Sequence, residues 1–293
     1  MTDATVATVA SVTPPARQGL AAFLRRHPTV IIGGALLLAI IVASIGAPWL
    51  ATVDPVSINP SFRLRNPSAE NWFGTDRFGR DLYSRVVYGG RVSLIVGLSV
   101  AALSTAIGLA IGLVSGYLRA IDAVVMRVMD GMMAIPAIML AIALIALAKA
   151  SVLIVIVAVT LPEVPRVVRL VRSIVLTIRE QPYIEAATAI GTSVPRIMLR
   201  HLLPNALPPL IVQATYICAS AVLIEAALSF LGAGTPPEIP SWGNNMAESR
   251  PYFQLKPWMV LLPGVFLAVT VLAINLVGDG LRDMLDPRLA RKM

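Results

Sequence analysis

The sequence predicts an all-α integral membrane protein with six transmembrane helices. Hydrophobic residues make up 57% of the 293 residues and charged residues only 14%, whereas a soluble domain carries about 25% charged residues. Several uncharged stretches are also long enough to cross the hydrocarbon core, which takes about 20 helical residues. Because the mean hydropathy is +0.78, we interpret the chain as one membrane domain and not as two soluble domains.

Six stretches are predicted as membrane spans. Four of them lack charged residues over more than about 20 positions and lie at 28–53, 92–118, 202–224 and 257–278. The stretch 131–148 is just long enough, and the shorter stretch 150–162 spans only if its helix continues past Glu163 toward Arg166. An even number of spans returns both termini to the same side of the membrane.

Basic residues predict which side that is. They precede the first span, fill the insert between the fourth and fifth spans, and follow the last span: Arg17, Arg25 and Arg26; Arg166, Arg169, Arg172, Arg179, Arg196 and Arg200; Arg282, Arg288, Arg291 and Lys292. Loops rich in lysine and arginine stay in the cytoplasm. The sequence therefore predicts cytoplasmic tails at 1–27 and 282–293, around a first helix at 28–53 and a membrane core at 92–281. This orientation also accounts for the net charge of +8 without nucleic-acid binding.

The segment 54–91 departs from that rule, because it is predicted to be extracytoplasmic and yet is basic. Its arginines are only partly offset by acidic residues: Arg63, Arg65, Arg77, Arg80, Arg85 and Arg91 against Asp54, Glu70, Asp76 and Asp81. The apolar positions Leu82, Val86 and Val87 indicate a helix at the membrane interface, where arginine side chains extend to the lipid headgroups.

The polar insert at 183–205 reads YIEAATAIGTSVPRIMLRHLLPN and is predicted to be a helical docking segment. Glu185, Ala186 and Ala187 share one helical turn, Gly191 permits a sharp bend, and Pro204 stands where the next helix would begin. The small alanines allow another backbone to approach closely, and the Glu185 carboxylate offers an acceptor. The alternative is that both alanines are simply good helix formers.

This insert resembles the EAA loop of ATP-binding-cassette (ABC) importer permeases. It has Glu-Ala-Ala, a glycine after three further residues, and Leu-Pro about a dozen residues later. The resemblance implies a type I ABC importer transmembrane domain with a cytosolic docking loop at 173–203. It also implies that a separate ATPase docks on seven residues: Glu185, Ala186, Ala187, Gly191, Arg196, Arg200 and Pro204.

Four further segments resemble the C-type permease subunits of dipeptide, oligopeptide and nickel importers. In order they are NWFGTDRFGRDLYSRVVYGGRVSL (71–94), MRVMDGMMAIP (126–136), EAALSFLGAGTPPEIPSWGNNMAE (225–248) and NLVGDGLRDMLDPR (275–288). The resemblance implies a multi-pass subunit of the bacterial cytoplasmic (inner) membrane that imports di- or oligopeptides. Nickel, glutathione and other small solutes stay open as substrates.

The same resemblance implies the partners and the mechanism. The expected partners are a homologous B-type permease, two cytosolic ATP-binding subunits, an extracytoplasmic substrate-binding protein and membrane lipid. ATP and Mg are expected on the ATP-binding subunits, and closure of those subunits would drive alternating access.

Three polar residues in or near the last two spans are candidates for the translocation path: Glu225, Ser229 and Asn275. An ionisable side chain within a span is costly unless it faces water or a partner. The alternative for Glu225 is a carboxylate at the helix end among the headgroups. Glu163 and Arg166 are spaced to pair across one helical turn.

Missing motifs indicate that the chain itself is not an enzyme. The sequence contains no G-x-x-x-x-G-K-[ST] phosphate-binding loop, no H-E-x-x-H and no G-x-S-x-G. His27 and His201 are far apart and Cys218 is the single cysteine, so we expect no metal site, no cofactor and no disulfide. An ion-coupled secondary transporter and a noncatalytic membrane scaffold are the competing functional classes.

Overall fold

A computed structural model describes residues 28–285 of the chain. Regular structure in that range is helical, apart from one bridge between Thr75 and Asp81. The α-helices are α1 (Pro28–Ile45), α2 (Ala47–Leu50), α3 (Leu82–Tyr117), α4 (Arg119–Met133), α5 (Ala137–Leu147), α6 (Val152–Arg179), α7 (Pro182–Ala189), α8 (Val194–Ile197), α9 (Leu203–Phe230), α10 (Trp242–Ser249) and α11 (Trp258–Leu285). The predicted tail 1–27 and residues 286–293 of the other predicted tail lie outside the described residues.

Within residues 28–285, four helical stretches are long and apolar enough to cross a membrane. They are α1, α3, the continuous run Val194–Phe230 that includes α8 and α9, and α11. The pair α4 and α5 adds a fifth if it counts as one broken span, because its two helices meet at an angle of 86°. The remaining long helix, α6, carries Glu163, Arg166 and Arg169 in its first 18 residues and falls outside this set.

The second predicted span begins earlier in the structure than the sequence suggests. The helix α3 runs without a break from Leu82, where the Asp81 side chain caps it by accepting a hydrogen bond from the Ser84 N–H at 2.8 Å. The prediction of an interfacial helix with arginines among the headgroups is wrong for Arg85, whose side chain is only 1% exposed. Arg85 is buried because polar groups of the loop before α3 and of α10 surround it.

The third predicted span also differs from the structure. Within 131–148 the helix breaks, and α5 begins only after Pro136. Proline lacks an N–H donor and disfavours the helical conformation of the residue before it, which accounts for the break. At 1.5 Å per residue the 11 residues of α5 extend about 17 Å, which is shorter than the hydrocarbon core.

The helix α3 lies at the centre of the molecule and contacts α1, α6, α9 and α10. Three glycines spaced four residues apart near the end of α3 allow α6 to approach closely: Gly108 meets Val167, Gly112 meets Val171 and Gly116 meets Val175. A Cβ atom at Gly112 would lie 2.7 Å from the Val171 Cβ atom. Small residues at this spacing are typical of tightly packed membrane helices.

Ion pairs fix α4 against the C-terminal half of α6. The Arg172 guanidinium donates two hydrogen bonds to the Asp122 carboxylate, one of them at 2.6 Å. Arg169 pairs with Asp130 near the other end of α4. The predicted pair of Glu163 with Arg166 is confirmed within α6, at 3.0 Å. These contacts join α4 and α6 immediately before the predicted docking loop.

Candidate functional site

The predicted docking loop forms a short helix followed by a sharp turn. The helix α7 ends at Ala189, and Gly191 takes a positive φ of 80°, a conformation that glycine adopts without strain. The Ile190 N–H donates to the Ala186 carbonyl at 3.1 Å and the Thr192 N–H to the Ala187 carbonyl at 3.0 Å. The expected bend at Gly191 is therefore present, and the turn satisfies the last carbonyl groups of the helix.

The Glu-Ala-Ala turn presents two of its three residues to solvent. Glu185 and Ala186 are exposed, whereas Ala187 is buried on the side of the helix that faces the rest of the chain. Large apolar side chains of the same loop are exposed as well, including Ile190, which is 83% exposed, and Leu199. A cluster of exposed apolar residues is typical of a surface that another protein covers.

The second half of the loop leads directly into α9. After α8 the chain makes a π-helical turn at Met198–Leu202, and Pro204 follows in the first turn of α9, as predicted. The Asn205 side chain donates to the His201 carbonyl at 2.7 Å. Arg196, Arg200 and Pro204 are all exposed, so the seven predicted docking residues lie along one segment, with only Ala187 turned inward.

The structure does not place Glu225 on an open surface. Its side chain is 0% exposed and accepts hydrogen bonds from the Ser93 hydroxyl at 3.0 Å and from the Ser229 hydroxyl at 2.9 Å. Neither sequence-based interpretation of Glu225 predicts this burial, and its place on the path or at a headgroup-facing helix end stays a prediction. The carboxylate joins α3 to α9 inside the chain.

Further hydrogen bonds connect this carboxylate to the segment that follows α9. The Ser229 hydroxyl accepts from the Thr235 N–H at 3.2 Å, and the Asn244 side chain donates to the Thr235 hydroxyl at 2.9 Å. Ser241 caps α10 by accepting from the Asn244 N–H at 3.1 Å. Five polar residues of the sequence motif 225–248 thus form one buried hydrogen-bonded network that joins α9 to α10.

A buried cluster of charged residues lies beside α10. The Arg85 guanidinium donates to the Asn245 side chain at 3.0 Å and to the Pro55 carbonyl at 3.3 Å. Both Arg80 and Arg85 contact the Glu248 carboxylate, and Arg80 also pairs with Asp76. Sequence reasoning missed this cluster, although the four-residue spacing of Asp76 and Arg80 pointed to a local pair.

The third predicted path residue, Asn275, lies apart from the first two. It is half-buried on α11, whereas Ser229 is buried with Glu225. The three predicted path residues therefore do not share one exposed surface.

Comparison with known families gives a match over most of the chain. Residues 105–291 match the family described as "Binding-protein-dependent transport system inner membrane component". Residues 21–67 match a second family, described as "N-terminal TM domain of oligopeptide transport permease C".

Individual relatives agree with these families. A "Probable peptide ABC transporter permease protein" of Sinorhizobium fredii is 52% identical over 268 residues, covering 92% of each chain. The dipeptide transport system permease protein of Alkalihalophilus pseudofirmus is 44% identical over 91% of this chain and 88% of its own length. The di/tripeptide transport system permease protein of Pseudomonas aeruginosa is 41% identical over 90% of this chain and 89% of its own.

A solved structure shows the same fold at lower similarity. A chain of the MetNI methionine ABC transporter, in an inward-facing conformation, superposes with a TM-score of 0.51 at 23% identity. The match covers 66% of this chain and 94% of the other. The family match and the relatives show that this chain belongs to the binding-protein-dependent transport system inner membrane components, the permease subunits of ABC importers.

Proposed function

We propose that this chain is the C-type permease subunit of an importer that moves di- or oligopeptides across the inner membrane into the cytoplasm. Three relatives that cover about nine tenths of this chain carry peptide transport in their names, which favours peptides over nickel, glutathione or other small solutes. The exposed surface of the docking loop around Glu185 and Ile190 is the main observation that supports coupling of this chain to an ATPase.

The proposed complex contains a homologous B-type permease, two cytosolic ATP-binding subunits and an extracytoplasmic substrate-binding protein. ATP and Mg belong to the ATP-binding subunits, and this chain supplies no catalytic residue. We count six spans by treating α4 and α5 together as one broken span and α6 as a separate span, although α6 carries charged residues. Both termini and the docking loop then lie in the cytoplasm.

The proposed coupling follows the covalent path of the docking loop. The loop joins α6 directly to α9, so a displacement of α7 moves the cytosolic ends of both helices. Two contacts stiffen this connection: the Tyr183 and His201 rings, whose centroids lie 6.1 Å apart, and the hydrogen-bonded turn at Gly191. Closure of the ATPases would pull on α7 and thereby open the permease pair toward the outside, where the binding protein delivers substrate.

Substitutions in the docking loop test this proposal. Glu185→Lys reverses the charge of an exposed side chain, and Gly191→Leu forces a branched residue into a positive φ. At Gly191 a Cβ atom would meet nothing within 4 Å, so backbone strain of about 1–3 kcal/mol is the main effect. We expect both variants to insert into the membrane and to lose most peptide uptake.

The controls separate docking from folding. A Cβ atom at Gly34 also meets nothing within 4 Å, and its backbone is helical, so Gly34→Leu should transport normally. Copurification of the ATPase with each variant, followed by ATPase and uptake assays in liposomes, gives the readout. Normal uptake by both docking-loop variants would refute the docking assignment, and it would favour the noncatalytic scaffold or the ion-coupled transporter.

A further inference from the structure

One face of α9 carries three polar side chains near the middle of the helix. Gln213, Tyr216 and Ser220 are all half-buried, and their spacing of three and four residues aligns them on a single face. The buried side of the same helix contains Ile217, Ala221 and other residues of the apolar core. Ile217 lies one helical turn from Gln213, so the three half-buried polar side chains border the buried side of α9.

The opposite exposed side of α9 is chemically different. Leu207 and Ile211 line an apolar groove of about 550 Å³ between α1, α3, α9 and α11, together with aliphatic side chains such as Leu37 and Leu98. This groove can face lipid chains without a cost in free energy, because lipid tails are as apolar as the side chains that line it. The single cysteine, Cys218, lines this groove as well. The helix α9 thus separates an apolar surface from a polar one.

The helix α11 extends the polar surface of α9. The Tyr216 hydroxyl donates a hydrogen bond to the Asp279 carboxylate at 2.6 Å. Asn275 lies one turn before Asp279 on the same face of α11, and Asp279 is exposed. We call these five residues, Gln213, Tyr216, Ser220, Asn275 and Asp279, the polar face.

A cavity adjoins the cytosolic end of the polar face. It has a volume of about 450 Å³, lies between α6, α9 and α11, and is lined by Gln213, Arg282, Leu170 and Pro208, among others. Proline occupies both positions 208 and 209 of α9. The polar face therefore continues into a concave surface where the helices approach the docking loop.

The amides of Gln213 and Asn275 lie within the predicted spans, where such groups are costly to expose to hydrocarbon and therefore face water or protein. The Asp279 carboxylate lies directly after the uncharged stretch of α11. We propose that the polar face is this subunit's wall of the solute path, in place of Glu225 and Ser229. Its hydroxyl, amide and carboxylate groups suit a hydrated solute with its own hydrogen-bonding groups, such as a peptide backbone. This inference rests on the proposed import function and names the surface along which the solute moves.

Cysteine accessibility in the assembled complex tests the polar face. In a Cys218→Ser background we would place one cysteine at Ser220 and, as a matched control, one at Ile211 in the apolar groove. Both complexes are reconstituted in liposomes and treated with a small charged methanethiosulfonate reagent. Because the thiolate is the reactive species and forms only where water reaches, we expect Ser220→Cys to react at least about tenfold faster than Ile211→Cys.

The reaction should also depend on the transport cycle. We expect the rate for Ser220→Cys to change between the nucleotide-free complex and a complex trapped with ATP, and to fall when dipeptide is present. Equal rates at the two positions would overturn the inference. So would a Ser220→Cys that stays unreactive in both states, since the partner permease would then cover this face.

A transport assay separates this inference from the proposed function. Gln213→Leu removes a polar side chain from the polar face, and Ile211→Leu changes the apolar groove at nearly constant volume. We expect Gln213→Leu to lower the uptake rate about tenfold or more while ATPase copurification is unchanged, and Ile211→Leu to transport normally. If the parent complex transports no peptide, the proposed function fails, while the labelling still reports whether water reaches the polar face.

Discussion

At the scale of single residues, Glu225 shows which features of a site the sequence predicts and which it does not. An ionisable residue in an apolar stretch marks a special position, and the structure confirms that Glu225 has polar partners. The partner Ser93 lies 132 positions away, and only the packing of α3 against α9 brings the two together. Sequence spacing carries no information on such a contact, so neither sequence-based interpretation of this carboxylate includes Ser93 as a partner.

The burial of Glu225 leads to a prediction on stability. Glu225→Ala leaves the Ser93 hydroxyl without its acceptor in a buried site and opens a cavity, so we expect a loss of about 2–5 kcal/mol. Glu225→Gln keeps an acceptor oxygen, and its amide can donate to the other hydroxyl, so it should stay near the wild type. Thermal unfolding of the purified complex measures both effects.

A neighbouring acid supplies the control for that measurement. Glu238 lies on the exposed loop between α9 and α10, and Glu238→Ala should change stability by no more than about 0.5 kcal/mol. If Glu225→Gln destabilises the complex as much as Glu225→Ala, the charge itself and not the hydrogen bonding holds this site together.

At the scale of elements, uncharged length predicted the existence of the long helices well and their ends poorly. The end of α11 lies beyond the predicted boundary because Asp279, Arg282 and Asp283 continue the helix, whereas the prediction stopped at the first charge. The sequence predicts an interfacial helix from Leu82 and a separate span from residue 92, whereas the structure joins the two in the single helix α3. Charged residues end a hydrocarbon-spanning stretch, but they do not end a helix.

The glycine contacts between α3 and α6 give an element-scale prediction. Gly112→Leu places a branched side chain where a Cβ atom already lies 2.7 Å from the Val171 Cβ atom, so the two helices must separate. Overpacking of this kind costs about 1–3 kcal/mol or more. We expect a lower unfolding temperature and lower yield, with Gly131→Leu as the control because a Cβ atom there meets nothing within 4 Å. Equal behaviour of the two variants would contradict the close packing of α3 on α6.

At the scale of the whole molecule, the family and its membrane location were predictable and the number of spans is still a proposal. Five ordered motifs carried the family assignment, because each holds several residues at fixed spacing. The count of spans depends on α6, whose charged residues pair with α4 and with each other. A hydropathy scale gives a charged residue the same value whether or not the residue forms an ion pair, so hydropathy alone does not decide whether α6 crosses the membrane.

Labelling from the two sides of the membrane tests the six-span arrangement. In the Cys218→Ser background we would place single cysteines at Ser193 in the docking loop and at Ser68 before α3, both of which are exposed. An impermeant thiol reagent should label Ser193→Cys only in inverted vesicles and Ser68→Cys only from outside. Labelling of both positions from the same side would contradict the proposed topology.

The most direct test of the central claim is the energy source of transport. The chain would be reconstituted with its copurifying permease, ATP-binding subunits and binding protein, and uptake of a labelled dipeptide would be measured. We predict uptake only when hydrolysable ATP is present on the side of the docking loop, and none with ATPase subunits that cannot hydrolyse ATP. Dipeptide uptake driven by an imposed proton or sodium gradient in the absence of ATP would contradict the account.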